Sequence, residues 1–266
     1  METVRDRLWI FTCVAGSDND SLTSAGYTQG SRMTPAEGAL YLDVPNLHMI
    51  RWRGLPAYPY DQFAVTFSSL KQVTWSIVGS GGQVEGDELQ RVLDLAEKNP
   101  NVTGVYLDDF MRKNGRGALS VDDLADIRPR LNVADRRLDL WVVLYIKQLD
   151  LPVAPYLEHC DVVNLWTWNS DDLKDLERNL DRLESINPGG RVSLGCYLWD
   201  FHNRRPVSIP QMEHQCELGL RWLREGRIES IVFLANTTCD IGIESAPWAQ
   251  AWIRKVGDIP LDAVTG

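Results

Sequence analysis

The chain has 266 residues, 44% hydrophobic and 24% charged, an ordinary globular composition with enough apolar material for a sizeable core. Its net charge is −10 and its pI near 4.9. No Lys/Arg-rich cluster offsets this, since "RWR" at Arg51 to Arg53 is too short, so the summed field repels nucleic acid and anionic membrane.

The length permits one large domain or two small ones, and a single α/β barrel commonly runs to about 250 residues. Cys13, Cys160, Cys196, Cys216 and Cys239 are odd in number and scattered, with no C-x-x-C or Cys/His spacing that suggests zinc or a redox pair. The start "METVRDRLWIF" lacks a signal-peptide apolar region, and no apolar run approaches the ~18 residues of a membrane span. As given, the chain reads as soluble and cytoplasmic; one trimmed of an export signal would look the same.

In chain order, eight short apolar segments read as strands: 7–15, 46–52, 72–79, 102–108, 139–146, 161–168, 192–199 and 230–236. They run apolar almost throughout, as strands covered on both faces do. The segment Gly16 to Met33 after the first strand is the longest irregular stretch, placed to cover a barrel mouth. Thr34 to Glu37, "TPAE", is a capping box with Pro at the first helical position. The unit around "DQFAVTFSSL" is the weakest. Leu89, Val92, Leu93 and Ala96 share one helical stripe. Ser120 precedes "VDDLADIRPRL", Asn169 or Ser170 precedes "DDLKDLERNLDRLESI", the helix from "SIPQ" stops at Gly226, and Ser245 is the expected cap of the last helix. Eight β–α units with no second domain predict a single (β/α)8 TIM barrel over 1–266. An open doubly wound sheet is second, because no G-x-G-x-x-G or Walker sequence follows the first strand.

Barrel chemistry sits at the C-terminal ends of the strands. The exits carry Arg51 and Arg53 (strand two), "GSGG" (three), Asp108 and Asp109 (four), Lys147, Gln148 and Asp150 (five), and Trp166, Trp168 and Asn169 (six). Strand seven offers Tyr197, Trp199, Asp200 and His202, and strand eight Asn236 and then Asp240. Carboxylates interleaved with Trp and Tyr suit carbohydrate: the CH faces of sugars stack on indoles, and their hydroxyls need polar partners. Cleaving a glycosidic bond takes one carboxylic acid for the leaving oxygen and one carboxylate as nucleophile or base.

"GVYLDDF" resembles the fourth-strand exit of many barrel glycoside hydrolases, in which an apolar strand delivers a catalytic Asp. The α-galactosidase-like families have their nucleophile there and their acid/base after strand six. The resemblance implies Asp108 as nucleophile or base, with Asp171 or Asp172 as positional matches for the acid, although both fall inside a helix cap. The chitinase-like families resemble the chain less, because the Glu of their D-x-x-D-x-D-x-E pattern is absent.

Each feature has a plainer reading. Adjacent strand residues point to opposite sides, so at most one of Asp108 and Asp109 faces the axis unless the strand has ended. Asp200 can pair with Arg204 or Arg205, Asp150 with Lys147, and any Trp can be core. The expectation is a carbohydrate-active barrel, a glycoside hydrolase in which Asp108 or Asp109 is nucleophile or base and Asp200 the acid, its pKa raised beside Trp199 and Tyr197. Arg51, Lys147, Asp150, His202 and Asn236 would hold hydroxyls, and Trp166, Trp168, Tyr197 and Trp199 would carry ring faces. No cofactor or metal is required. The alternatives are a non-catalytic sugar-binding barrel, and a lyase or isomerase using a Lys147 Schiff base or a divalent metal on Asp108 and Asp200.

Overall fold

In a computed structural model, which describes residues 1–261 apart from 25, 28, 80, 81 and 85, eight parallel strands close into a barrel. They are β1 (Leu8–Thr12), β2 (Asn46–Met49), β3 (Gln72–Val78), β4 (Val102–Leu107), β5 (Asp139–Tyr145), β6 (Val162–Trp166), β7 (Arg191–Tyr197) and β8 (Ser230–Leu234). Each pairs with the next, and β1 closes the ring against β8 with Phe11 beside Leu234. The (β/α)8 expectation holds. Every strand is shorter than the apolar run that announced it, so the polar residues at the run ends stand on loops at the mouth.

The helix signals hold in most places. Thr34 and Glu37 form the capping box at the start of the helix Pro35–Leu42, and Ser120 caps Val121–Arg130. The helix Ile209–Glu225 ends on Gly226 at φ +71°, where a side chain would be strained. Asn169 accepts from the Asp171 amide and caps a 3-10 turn, Ser170–Asp175, that leads into the helix Leu176–Ile186. On the helix Glu88–Lys98 the buried stripe includes Leu95, while Leu89 is only half-buried. Ser245 is not a cap: it is the first residue of the helix Ser245–Val256, and its hydroxyl donates to the Leu198 carbonyl. The weak unit after β2 condenses to one α-turn, Asp61–Ala64, and one 3-10 turn, Val65–Phe67.

The strands are less uniformly apolar than their sequences suggested, because the barrel interior is partly polar and aromatic. His48 is fully buried, stacks on Trp9 at 4.5 Å and shares a 2.6 Å hydrogen bond with the Thr74 hydroxyl. The Tyr106 hydroxyl donates to Asn164 at 2.6 Å, and the Ser230 hydroxyl to that of Ser193 at 2.7 Å. Apart from the Nε2 of His48, which has no hydrogen-bond partner among the described residues, these buried polar groups find partners inside the barrel, which removes most of the cost of desolvating them. Above this layer the Trp166 indole lies so close to Gly195 that a Cβ there would sit 2.1 Å from the ring. No helix among the described residues is long and apolar enough to cross a membrane.

Candidate active site at the barrel mouth

A cavity of about 190 Å³ opens where the strands end. One wall comes from the exits of β4 to β7 and carries Asp108, Asp109, Tyr145, Trp168, Tyr197 and Phe201. The facing wall comes from the segments after β1 and β8 and carries Cys13, Asp18 and Thr237.

Because β4 ends at Leu107, strand alternation no longer governs the two aspartates. Asp109 takes φ +45°, in the left-handed region that Asp tolerates better than most residues, and both carboxyls line the same cavity. Asp108 is 4% exposed. Its pKa is pushed well above the ordinary carboxylate value, first by burial and next by the charge of Asp109; the Asp109 backbone N–H opposes this by donating to it. One such bond contributes about 1.5–3 kcal/mol, less than the several kcal/mol lost in desolvating an ion. Burial wins, and the pKa of Asp108 is raised.

Asp109 is half-buried and its Oδ1 accepts from the Tyr145 hydroxyl at 2.8 Å. Burial also raises the pKa of Tyr145 and Tyr197, so both phenols stay neutral and able to donate. The Trp168 ring stacks on Phe201 with centroids 5.5 Å apart and meets Tyr145 and Tyr197 edge-on. On the facing wall the Thr237 hydroxyl lies 3.5 Å from the Asp18 carboxylate. Asp18 is pushed up to about 6, mainly by burial, against the donors Ser21 and Thr237 and the charge of Arg53. The Cys13 thiol is pushed up to about 12 by burial, which makes it a poor nucleophile.

Of the residues singled out from sequence, the cavity therefore brings together Asp108, Asp109, Trp168 and Tyr197. Lys147 lies just outside, its Nζ 5.1 Å from the Tyr145 ring centroid and 5.5 Å from that of Trp168. The others lie elsewhere. Trp166 is buried beneath the mouth, in contact with the rings of Phe11 and Tyr197. Trp199 is buried, edge-on to Tyr27 at 4.3 Å. Arg51 is buried and ion-paired with Glu88 at 3.5 Å. Asp150 is exposed, paired with Arg182 and not with Lys147, and His202 is exposed in the turn of a small hairpin. Asn236 is fully buried and works on the backbone: its amide bonds the N–H and carbonyl of Cys13 and the carbonyl of Met33, tying down the segment after β1.

Asp200 differs most from expectation. It does not line the cavity, and its carboxylate accepts from the backbone and hydroxyl of Ser170 and from the backbone and side-chain amides of Asn203. These donors hold its pKa below the ordinary value although burial opposes them, so the raised pKa expected of an acid is absent. Asp171 pairs with Arg205 at the surface. The "GSGG" stretch falls partly outside the described residues, at Ser80 and Gly81. Among the described residues no group of three or more His, Cys, Asp or Glu is placed to hold a metal ion.

Sequence reasoning missed Asp18, Cys13, Thr237 and Tyr145. The length of the Gly16 to Met33 segment was the signal for Asp18, and Tyr145 was visible as the last residue of a strand but passed over for Lys147.

No protein-family model and no curated protein sequence matches the chain. Solved structures do resemble it. The catalytic domain of a hyperthermophilic chitinase from Pyrococcus furiosus superposes with a TM-score of 0.56 at 11% identity, covering 86% of this chain and 84% of that one. An endo-alpha-mannosidase from Bacteroides thetaiotaomicron gives 0.54 at 7% identity, over 94% and 97%. A xylanase–alpha-amylase inhibitor protein, solved with trehalose, gives 0.56 at 10% identity, over 94% and 98%. At such identities the likeness establishes the barrel fold, which hosts many chemistries.

Proposed function

We propose that the chain is a glycoside hydrolase whose proton donor is Asp108. The observation that carries this reading is a nearly fully buried carboxyl with a raised pKa, beside a second carboxylate and an aromatic wall, in a cavity at the mouth of a closed barrel. The cavity is about the size of one that holds a single six-membered ring (roughly 150 Å³ accommodates benzene). Two of the three resembling structures described above are named as glycosidases, which agrees with the reading.

In this mechanism the Asp108 carboxyl protonates the glycosidic oxygen as the bond to the anomeric carbon breaks. Asp18, on the facing wall and ionised above about pH 6, is nucleophile or base for water. Asp109 keeps Asp108 protonated by its charge, and Tyr145 fixes Asp109. Trp168, with Phe201 and Tyr197, supplies the apolar wall against which a sugar ring would lie. Asp108 thus exchanges the role expected from its sequence position, nucleophile or base, for that of acid, because burial holds it in the protonated form.

The second reading, a sugar-binding barrel without turnover, draws on the inhibitor among the resembling structures. A Schiff-base role for Lys147 draws no support, since its ammonium is exposed outside the cavity. The separating experiment is product release from a panel of aryl glycosides and oligosaccharides, wild type beside Asp108→Asn and Asp18→Asn. Turnover lost in both folded variants supports the hydrolase. Binding without turnover by wild type supports the silent barrel.

A further inference from the structure

On the other side of the wall formed by Asp109 and Tyr145, which line both, lies a second groove of about 500 Å³. Its floor is fixed by Gln148, which is buried: the side chain donates to the Met111 carbonyl at 2.8 Å and accepts from the Tyr145 N–H at 2.8 Å, clamping the exits of β4 and β5 together. Its rim carries Arg112, Lys113 and Lys147. Arg112 and Lys113 stand on a tight turn closed by the Arg112 N–H to Arg116 carbonyl bond and the Gly115 N–H to Arg112 carbonyl bond. Lys147, exposed outside the cavity, holds its Nζ over the rings of Tyr145 and Trp168, which places its charge beside the cavity wall.

The molecule carries −10 overall, and most of its arginines lie against carboxylates, as Arg5, Arg182, Arg205 and Arg227 do. Among the described residues, none of Arg112, Lys113 and Lys147 lies within ion-pair distance of a carboxylate. Asp109 is the carboxylate that lines the groove, and it is turned to the Tyr145 hydroxyl; Asp150, nearby in sequence, is taken up by Arg182. Three cations on the rim of a groove with a fixed floor, next to a cavity sized for one ring, form a place for negative charge carried by the ligand.

We propose that this groove is a subsite for an anionic substituent, a uronate carboxylate or a sulfate ester, on the sugar adjoining the ring held in the cavity. The proposal rests on the carbohydrate reading above and names the substrate class as acidic glycans. Arg112 offers a planar fork for a carboxylate or sulfate, and the two lysines add point charges that tolerate either.

The test is binding to the Asp108→Asn protein, which removes the proposed proton donor. The probes are trigalacturonate against its methyl ester, a glucuronic acid-substituted xylotriose against xylotriose, and sulfated against unsulfated lactose. Three exposed ion pairs predict a preference on the order of tenfold for at least one acidic member at low salt, shrinking as salt rises. Adding Arg112→Gln, Lys113→Gln and Lys147→Gln together should bring that ratio close to one with Tm unchanged. The uronate and sulfate arms show which anion is preferred. An acidic preference that survives the three substitutions, or no acidic preference in any pair, overturns the subsite; no binding by any probe overturns it as well. Hydrolysis of neutral aryl glycosides by wild type is scored separately. Turnover without acidic preference sinks only the subsite, and acidic binding without any turnover sinks only the hydrolase.

Discussion

The exits of β4 and β7 begin alike and end in opposite chemistry. Each delivers an apolar run into an aspartate, and both side chains have little exposed surface, at 4% and 1%, although Asp108 lies deeper in the interior and burial weighs more heavily on it. Asp108 has its neighbour's backbone N–H and a neighbouring negative charge; Asp200 has four donors from Ser170 and Asn203. Hydrogen bonds to a charged group contribute about 1.5–3 kcal/mol each, so four of them outweigh desolvation where one cannot. Burial alone therefore does not make an acid. Depth of burial and the number of donors that face the carboxylate together decide whether it stays protonated, and with it whether the residue can do proton-transfer work or serves as a structural knot.

The sharpest way to break this comparison is Asp108→Asn. It should lower kcat/KM by about 10²- to 10⁴-fold on substrates with poor leaving groups, and less on activated aryl glycosides that need no protonation. The same variant carries a stability signature. Raised in the folded chain, the Asp108 carboxyl binds its proton more tightly there than when unfolded. That stabilisation is full below about pH 4 and is lost as pH rises through the raised value. Thermal melts should thus show Asp108→Asn gaining on wild type towards alkaline pH; a constant difference across pH contradicts the protonated carboxyl.

Asp18→Asn tests the facing wall. Wild-type kcat/KM should fall on the acid side of about pH 6 as Asp18 takes up its proton, and the variant should lose about 10²-fold or more in rate together with that limb of the profile. An unchanged acid limb would remove Asp18 from the mechanism. Asp200→Asn is expected to behave differently. Turnover should remain within a few-fold while stability falls by about 2–4 kcal/mol, because an amide cannot accept from all four donors. The lowered carboxyl contributes stability above about pH 4 that disappears as pH falls through its folded value, so the melts of wild type and variant should converge in acid. The smallest effect is expected from Tyr145→Phe, which frees the Asp109 carboxylate from its 2.8 Å donor. A loss of roughly tenfold in kcat with little change in Tm fits a neutral-to-charged hydrogen bond of about 1.5 kcal/mol.

Much of the architecture was legible because it is written locally. Eight apolar runs, the capping box at Thr34, Ser120 ahead of its helix, and the stop at Gly226 are short-range signals, and the structure bears them out. Ser245 misled because a serine at a helix start can cap its own backbone or reach that of a distant segment, and only tertiary contact with Leu198 decides. The same limit applies at the mouth. "YLDDF" pointed to the carboxyl pair, yet Asn236 at the exit of β8 turned inward to hold Cys13 and Met33, and Asp18 arrived from a loop with no periodic pattern. Nothing in "YLWDFHN" announces that Ser170, 30 residues earlier, will saturate Asp200. Strand exits show which residues reach the mouth, whereas donor counts are a property of the assembled loops.

The most direct test of the central claim is a side-chain carboxyl titration by carbon-13 NMR, following Asp108 and Asp200 in one sample and assigned with the two Asn variants. The account predicts that Asp108 remains protonated well above the ordinary aspartate value of about 3.9, while Asp200 stays ionised to below it. Asp108 titrating at or below that value would contradict the account, leaving a buried anion at the barrel mouth in place of a proton donor.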